Sequence, residues 1–143
     1  FLGTCGGFQH ALIEYARNVL GWHDAAHAET DHDGRMVIAP LTCSLVEVTN
    51  TIELRANTLI AKAYGRKEIV EGYHCNYGVS EAFAAELEKG DLRVTGWDEQ
   101  GDIRAVELVT HPFFVATLFQ HERAALDGRP APLVQALLRA AQG

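Results

Sequence analysis

The chain reads as an α/β layered domain, and three observations predict it. Apolar or β-branched runs alternate with stretches of helical periodicity. One run, Phe113 to Phe119, is apolar but for Thr117, as in a strand buried on both faces. A short apolar run ends in Gly3-Thr4-Cys5-Gly6-Gly7 just before an amphipathic stretch, the spelling of a strand-to-helix turn that exposes a nucleophile. With 143 residues, 48% of them hydrophobic, the chain can bury one core and predicts one domain over 1–143.

Each element follows from its local pattern. Residues 1–4 are the end of a strand. Phe8, Leu12, Tyr15, Ala16, Val19 and Leu20 recur at helical spacing, so 7–20 is a helix that Gly21 ends. Residues 22–34 are rich in His and Asp and read as a loop closing at Asp33-Gly34. Met36 to Val48 is extended, interrupted by Pro40, and Thr51 to Leu54 alternates as a half-exposed strand. Leu59 to Tyr64 forms a helical turn stopped by Gly65, and Glu68 to Tyr77 is a strand. Ser80 caps a helix over 81–89 that ends at Gly90. Leu92–Trp97 and Asp102–Val109 flank Asp98-Glu99-Gln100-Gly101 as a hairpin, and Pro132 opens the last helix.

Charge and cysteine usage restrict function. A net charge of −7 with no Lys/Arg stripe argues against nucleic acid and anionic membranes as partners. No run approaches the ~18 apolar residues of a membrane span. Cys5, Cys43 and Cys75 are odd in number and widely spaced, which suits free thiols and a cytoplasmic location. Cys43 and Cys75 read as core residues.

Cys5 carries the chemistry. Its neighbours must be small for the chain to turn so sharply, and Gly3, Gly6 and Gly7 supply that. The turn also places Cys5 at a helix N-terminus, where free N–H groups favour the thiolate. An ordinary thiol, with a pKa of ~8.5, is only a few per cent ionised at neutral pH. His23 and His27, spaced i, i+4 beside Asp24, Asp31, His32 and Asp33, could share a helical face toward a metal. No Cys or Glu joins them at metal-site spacing, so a solvated loop is expected and no metal or cofactor is assigned. His10 reads as a polar position on a half-exposed helix, and His111 as a loop cap.

The chain resembles the class I glutamine amidotransferases, specifically the C-terminal glutaminase domain of CTP synthase. Gly3-Thr4-Cys5-Gly6-Gly7-Phe8-Gln9 matches that family's Gly-x-Cys-x-Gly-x-Gln elbow. Gly90 to Gly96, His111 to Ala116 and Asp127 to Leu133 resemble further family segments. The resemblance implies a flavodoxin-like three-layer sandwich around a mainly parallel sheet. The elbow strand then belongs mid-sheet, so the chain is expected to be the C-terminal part of a larger domain, incomplete at its N-terminus. It also implies a Cys that attacks the side-chain amide of glutamine, a His-x-Glu pair that activates it, and ammonia passed to a synthetase-type partner. Gly3, Gly6 and Gln9 fall at oxyanion and substrate-binding positions, with the Gly6 N–H as oxyanion donor.

Two departures alter that expectation. Where the family reads Phe-His-Pro-Glu, this chain reads Phe119-Gln120-His121-Glu122. Gln120 aligns with the catalytic His and Glu122 with the residue that orients it, and an amide cannot act as a base near neutral pH. His121 could substitute only where the backbone bulges or turns, since neighbours on a strand face opposite sides. Secondly, Tyr73-His74-Cys75-Asn76-Tyr77-Gly78 replaces an Arg-His-Arg-Tyr-Glu-type segment. Tyr73 or His74 must then replace the Arg that holds the glutamine carboxylate; Cys75 could bring a second thiol toward the site, although a buried structural role is the stronger expectation. Two functions are expected: a thiol enzyme acting on glutamine or another small amide or ester, or a non-catalytic relative that binds a small molecule or partner. Self-association is compatible with either.

Overall fold

The computed structural model describes all residues, Phe1–Gly143. Seven strands are β1 (Leu2–Thr4), β2 (Ala25–His27), β3 (Arg35–Leu54), β4 (Glu68–Val79), β5 (Leu92–Trp97), β6 (Ile103–Leu108) and β7 (Val115–Thr117). Four helices are α1 (Gly6–Asn18), α2 (Leu59–Tyr64), α3 (Glu81–Ala84) and α4 (Pro132–Ala141). The strands form one sheet in the order β1-β7-β6-β5-β3-β2, with β4 paired to β3 off that path. This is the expected α/β class. The sheet is mixed: β1–β7 and β2–β3 are parallel, and the other four pairings are antiparallel. Over these residues the parallel character belongs to the elbow strand and β2. Helix α1 packs on β1, β2, β3 and β7, and α4 packs on β1 and α2.

Local chemistry explains most boundaries. Thr58 and Ser80 cap α2 and α3 by accepting the N–H groups of Ala61 and Phe83. Gly65 closes α2 in the left-handed conformation. Pro132 stands at the start of α4. A core of 28 buried residues runs through the molecule, with Phe8, Leu12, Ile38, Ile52, Tyr73, Phe83 and Phe119 among its fully enclosed side chains.

Four differences from the sequence reading have physical causes. Residues 35–54 form one long strand, and its pairing with β4 breaks only between Pro40 and Leu45 and between Val46 and Val48. Proline cannot donate to the ladder, so residues 41–44 leave the register and Cys43 is exposed, not in the core. The polar 22–34 segment holds a buried strand, β2, and His27 lies inside it at 2% exposure. Residues 81–89 divide into α3 and a separate 3-10 turn, Leu87–Lys89. After β7 the chain folds into a 3-10 helix, His121–Asp127, where an extended segment was expected.

Candidate active site around Cys5

The elbow is built by two hydrogen bonds. Beyond the Thr4–Thr117 pair of the β1–β7 ladder, the Cys5 N–H donates to Thr117 O at 2.9 Å. The Gln9 N–H donates to Cys5 O at 3.0 Å, the first bond of α1. Between strand and helix, Cys5 takes φ 48°, ψ −106°, a conformation that L-residues avoid. Such a residue costs about 1–3 kcal/mol and is held only where its surroundings over-determine it. Gly3 makes the turn possible, since a Cβ there would lie 2.7 Å from Phe1 Cζ and 3.0 Å from the Gly7 carbonyl carbon. A Cβ at Gly6 would meet nothing within 4 Å, so the space beside the thiol is open.

The half-buried Cys5 is acidified to about 7, from an ordinary 9.0. The largest cause is a hydrogen bond from the Cys75 thiol, aided by the Gly6 N–H and weakly by His74. Burial and the nearby Glu122 carboxylate oppose it. Cys75 is 3% exposed and is pushed up by the same contact with Cys5 and by burial, so it keeps its proton. The two sulfurs share one corner: Cys5 Sγ is 3.7 Å from His74 O, and Cys75 Sγ is 3.7 Å from Leu118 O.

The expected partners of Cys5 divide. Glu122 is beside it, accepting from Thr4 Oγ1 at 3.1 Å. Gln120 opens the 3-10 turn, tied by its N–H to Gly72 O at 2.9 Å and by its side-chain oxygen to Arg123 at 3.3 Å. His121 is at a turn, as a substitute base requires, yet it is 2% exposed and neither ring nitrogen has a partner. Burial lowers its pKa below the ordinary imidazole value. The groups acting on Cys5 are Cys75, Gly6, Glu122 and His74.

The β4 residues obey strand alternation. Tyr73 and Cys75 face the core while His74 faces out. Tyr73 is fully buried with its hydroxyl unpartnered, packed edge-on to Phe119, which removes it from any solvent-exposed ligand. His74 Nδ1 is 2.9 Å from Glu47 Oε1, and Glu47 also binds Arg123. His74 and Arg123 together hold the Glu47 carboxyl below its ordinary value. Gln9 is buried, donating to Tyr77 O at 3.0 Å and bonding His27 Nε2 through Oε1 at 2.8 Å. Since the Glu29 N–H donates to His27 Nδ1, the ring proton is on Nε2 and points at Gln9. His10 stacks on that imidazole, with centroids 5.6 Å apart. His27 is thus a packing and hydrogen-bonding residue rather than one of a solvated pair with His23. His111 Nδ1 accepts from the Phe113 N–H, as a loop cap does.

A cavity of about 310 Å³ lies beside the Gln120 turn, lined in part by Glu47, Glu71, Gly72, Arg123 and Arg129. Sequence reasoning missed Glu47 and the Thr4 hydroxyl, and placed His27 in a solvated loop rather than against Gln9. Thr4 adjoins the elbow and could have been noted for its hydroxyl. Glu47 carries no local signal, because its place depends on the β3–β4 register.

Comparison with known proteins places this arrangement. No family model matches the chain. CTP synthase of Methanopyrus kandleri is 36% identical over an alignment of 155 positions, covering 100% of this chain and 29% of that protein. CTP synthase of Methanosphaerula palustris is 38% identical over 141 residues, 92% of this chain and 26% of the relative. The chain thus spans less than a third of these curated relatives. The glutaminase domain of Trypanosoma brucei CTP synthase, solved with bound acivicin, superposes with a TM-score of 0.88 at 25% identity, over 99% of this chain and 60% of that one. The chain is a relative of the CTP synthase glutaminase domain. A GMP synthase-type protein from Thermoplasma acidophilum shares the fold, with a TM-score of 0.64 at 11% identity. In this glutaminase-domain relative the strained Cys5 occupies a strand-to-helix elbow, and no helix is long and apolar enough to cross a membrane.

Proposed function

We propose that residues 1–143 are part of one amidotransferase-like domain that uses Cys5 as a thiol nucleophile on the side-chain amide of glutamine. The observation that carries this is the acidified sulfur at φ 48° on the elbow, with open space at Gly6. The thiolate attacks the amide carbon, and the Gly6 N–H is positioned to receive charge on the developing oxyanion. Since Cys5 is about half ionised at neutral pH, attack itself needs no separate base. Release of ammonia and hydrolysis of the thioester do need proton transfer, and Gln120 supplies none. Turnover is therefore slow. Arg123, joined to His74 through Glu47, is a cationic group available to a substrate carboxylate. The similarity to CTP synthases adds glutamine as substrate, a synthetase-type partner that takes up ammonia, a role in pyrimidine metabolism and a cytoplasmic setting.

The experiment compares glutamate release by the wild type and Gln120→His. The variant should gain about 10²–10⁴ in rate, the contribution of a positioned base. No gain, with Cys5 still alkylated near neutral pH, would overturn the assignment of position 120. A second reading, a domain that binds without turnover, is favoured by Gln120 itself, and glutamine binding without glutamate release in both proteins would support it.

A further inference from the structure

The pair of thiols at the elbow exceeds what amide hydrolysis requires. A thiol nucleophile needs one sulfur, an oxyanion donor and a proton carrier. Here a second cysteine comes from a distant strand, and backbone contacts bring it to the same corner as the first. Backbone contacts fix the approach. The Cys5 N–H is bonded to Thr117 O, and Cys75 Sγ lies 3.7 Å from the carbonyl of the next residue, Leu118. Cys5 Sγ in turn lies 3.7 Å from the carbonyl of His74, the residue before Cys75. One sulfur is half-exposed beside open space and the other is enclosed behind it. This is the division of labour of a reactive thiol and a resolving thiol.

We propose that Cys5 and Cys75 form a redox-active dithiol that reduces a small hydroperoxide at the expense of an external thiol. The Cys5 thiolate attacks the distal peroxide oxygen, an S–O bond forms and the O–O bond breaks. Cys5 becomes a sulfenic acid, and the peroxide leaves as an alkoxide that takes a proton from water. The Cys75 sulfur then attacks the Cys5 sulfur, an S–S bond replaces the S–O bond, and hydroxide leaves with the Cys75 proton as water. Two equivalents of an external thiol reduce the disulfide, regenerating both cysteines and leaving as their own disulfide. The order has a physical basis. The neighbouring Cys5 and burial both favour the protonated Cys75 thiol. Oxidation of Cys5 removes the charged acceptor, so Cys75 becomes more acidic when it must attack.

The test treats the full chain with hydrogen peroxide, blocks remaining thiols with iodoacetamide and maps the cysteines by mass spectrometry. The wild type should yield a Cys5–Cys75 cross-linked peptide two hydrogens lighter than the separate pair, with Cys43 alkylated. Cys75→Ser should instead trap Cys5 as a sulfenic acid that reacts with dimedone. Peroxide consumption with dithiothreitol as reductant should be lost in Cys5→Ser and retained in Cys43→Ser. Separate alkylation of Cys5 and Cys75 in peroxide-treated wild type, or a disulfide through Cys43, would overturn the proposal. The wild-type mapping involves no variant that could misfold and reads no glutamine chemistry, so it stands or fails independently of the amidotransferase reading.

Discussion

Apart from burial, every influence on the Cys5 sulfur comes from a nameable group. The Cys75 thiol is the largest, so Cys75→Ala should raise the Cys5 pKa from about 7 toward the ordinary 9.0. The rate of iodoacetamide alkylation follows the thiolate fraction. At neutral pH it should fall about tenfold, as the ionised share drops from near half to a few per cent. An unchanged pH–rate curve would remove Cys75 from the account. The resemblance of residues 119–122 to a His-x-Glu segment led to the expectation of Glu122 near Cys5, and the structure places Glu122 beside the elbow through Thr4. The seclusion of His121 is not readable, because a local pattern cannot show which side of a 3-10 turn faces the core.

Among the elements, the elbow was legible because strand, glycines and helix are contiguous. The helix starts at Ser80 and Pro132 and the turn after Trp97 were legible for the same reason. Strand β2 was not: three residues pair in parallel with Arg35–Ile38, and their polar surroundings give no period to detect. The β5–β6 hairpin depends on a polar device that its turn signature only hints at. Asp98 accepts the N–H groups of Gln100 and Asp102, while its other oxygen binds Arg104 at 2.9 Å. Both charged side chains are buried, at 2% and 4% exposure. Asp98→Ala would leave the Arg104 guanidinium inside, with only the solvated Asp102 at 3.6 Å. Loss of one partner of a buried pair costs about 3–5 kcal/mol, which a urea titration should detect. Asp102→Ala, at an exposed carboxylate, should cost under about 1 kcal/mol.

For the molecule as a whole, stability carries the sum of its buried titrations. His27 and His121 are both held below the ordinary 6.5, with burial as the leading cause. Below that value the unfolded chain binds protons that the folded one refuses, so stability falls as pH drops through 6.5. Each group contributes at most about 1.4 kcal/mol per pH unit. Glu71 and Glu107, raised by burial, act in the opposite sense, because their folded carboxyls bind protons first. His121→Leu isolates one contribution. Neither ring nitrogen has a partner, so the apolar side chain should be tolerated near neutral pH, within about 1 kcal/mol. The variant should also lose less stability than the wild type between about pH 7 and about pH 5.5. Equal losses would mean that His121 is protonated in the folded state.

The β1–β7 ladder that seats the elbow pairs Leu2 with Val115, across most of the chain's length. Closing so long a loop is slow and is rewarded only once the strands between are already aligned. The β3–β4 hairpin can form early from nearby residues, but the corner where Cys5 meets Cys75 and Glu122 cannot. Until that corner is assembled Cys5 has none of the neighbours that acidify it, so its reactivity reports on closure of the β1–β7 pair.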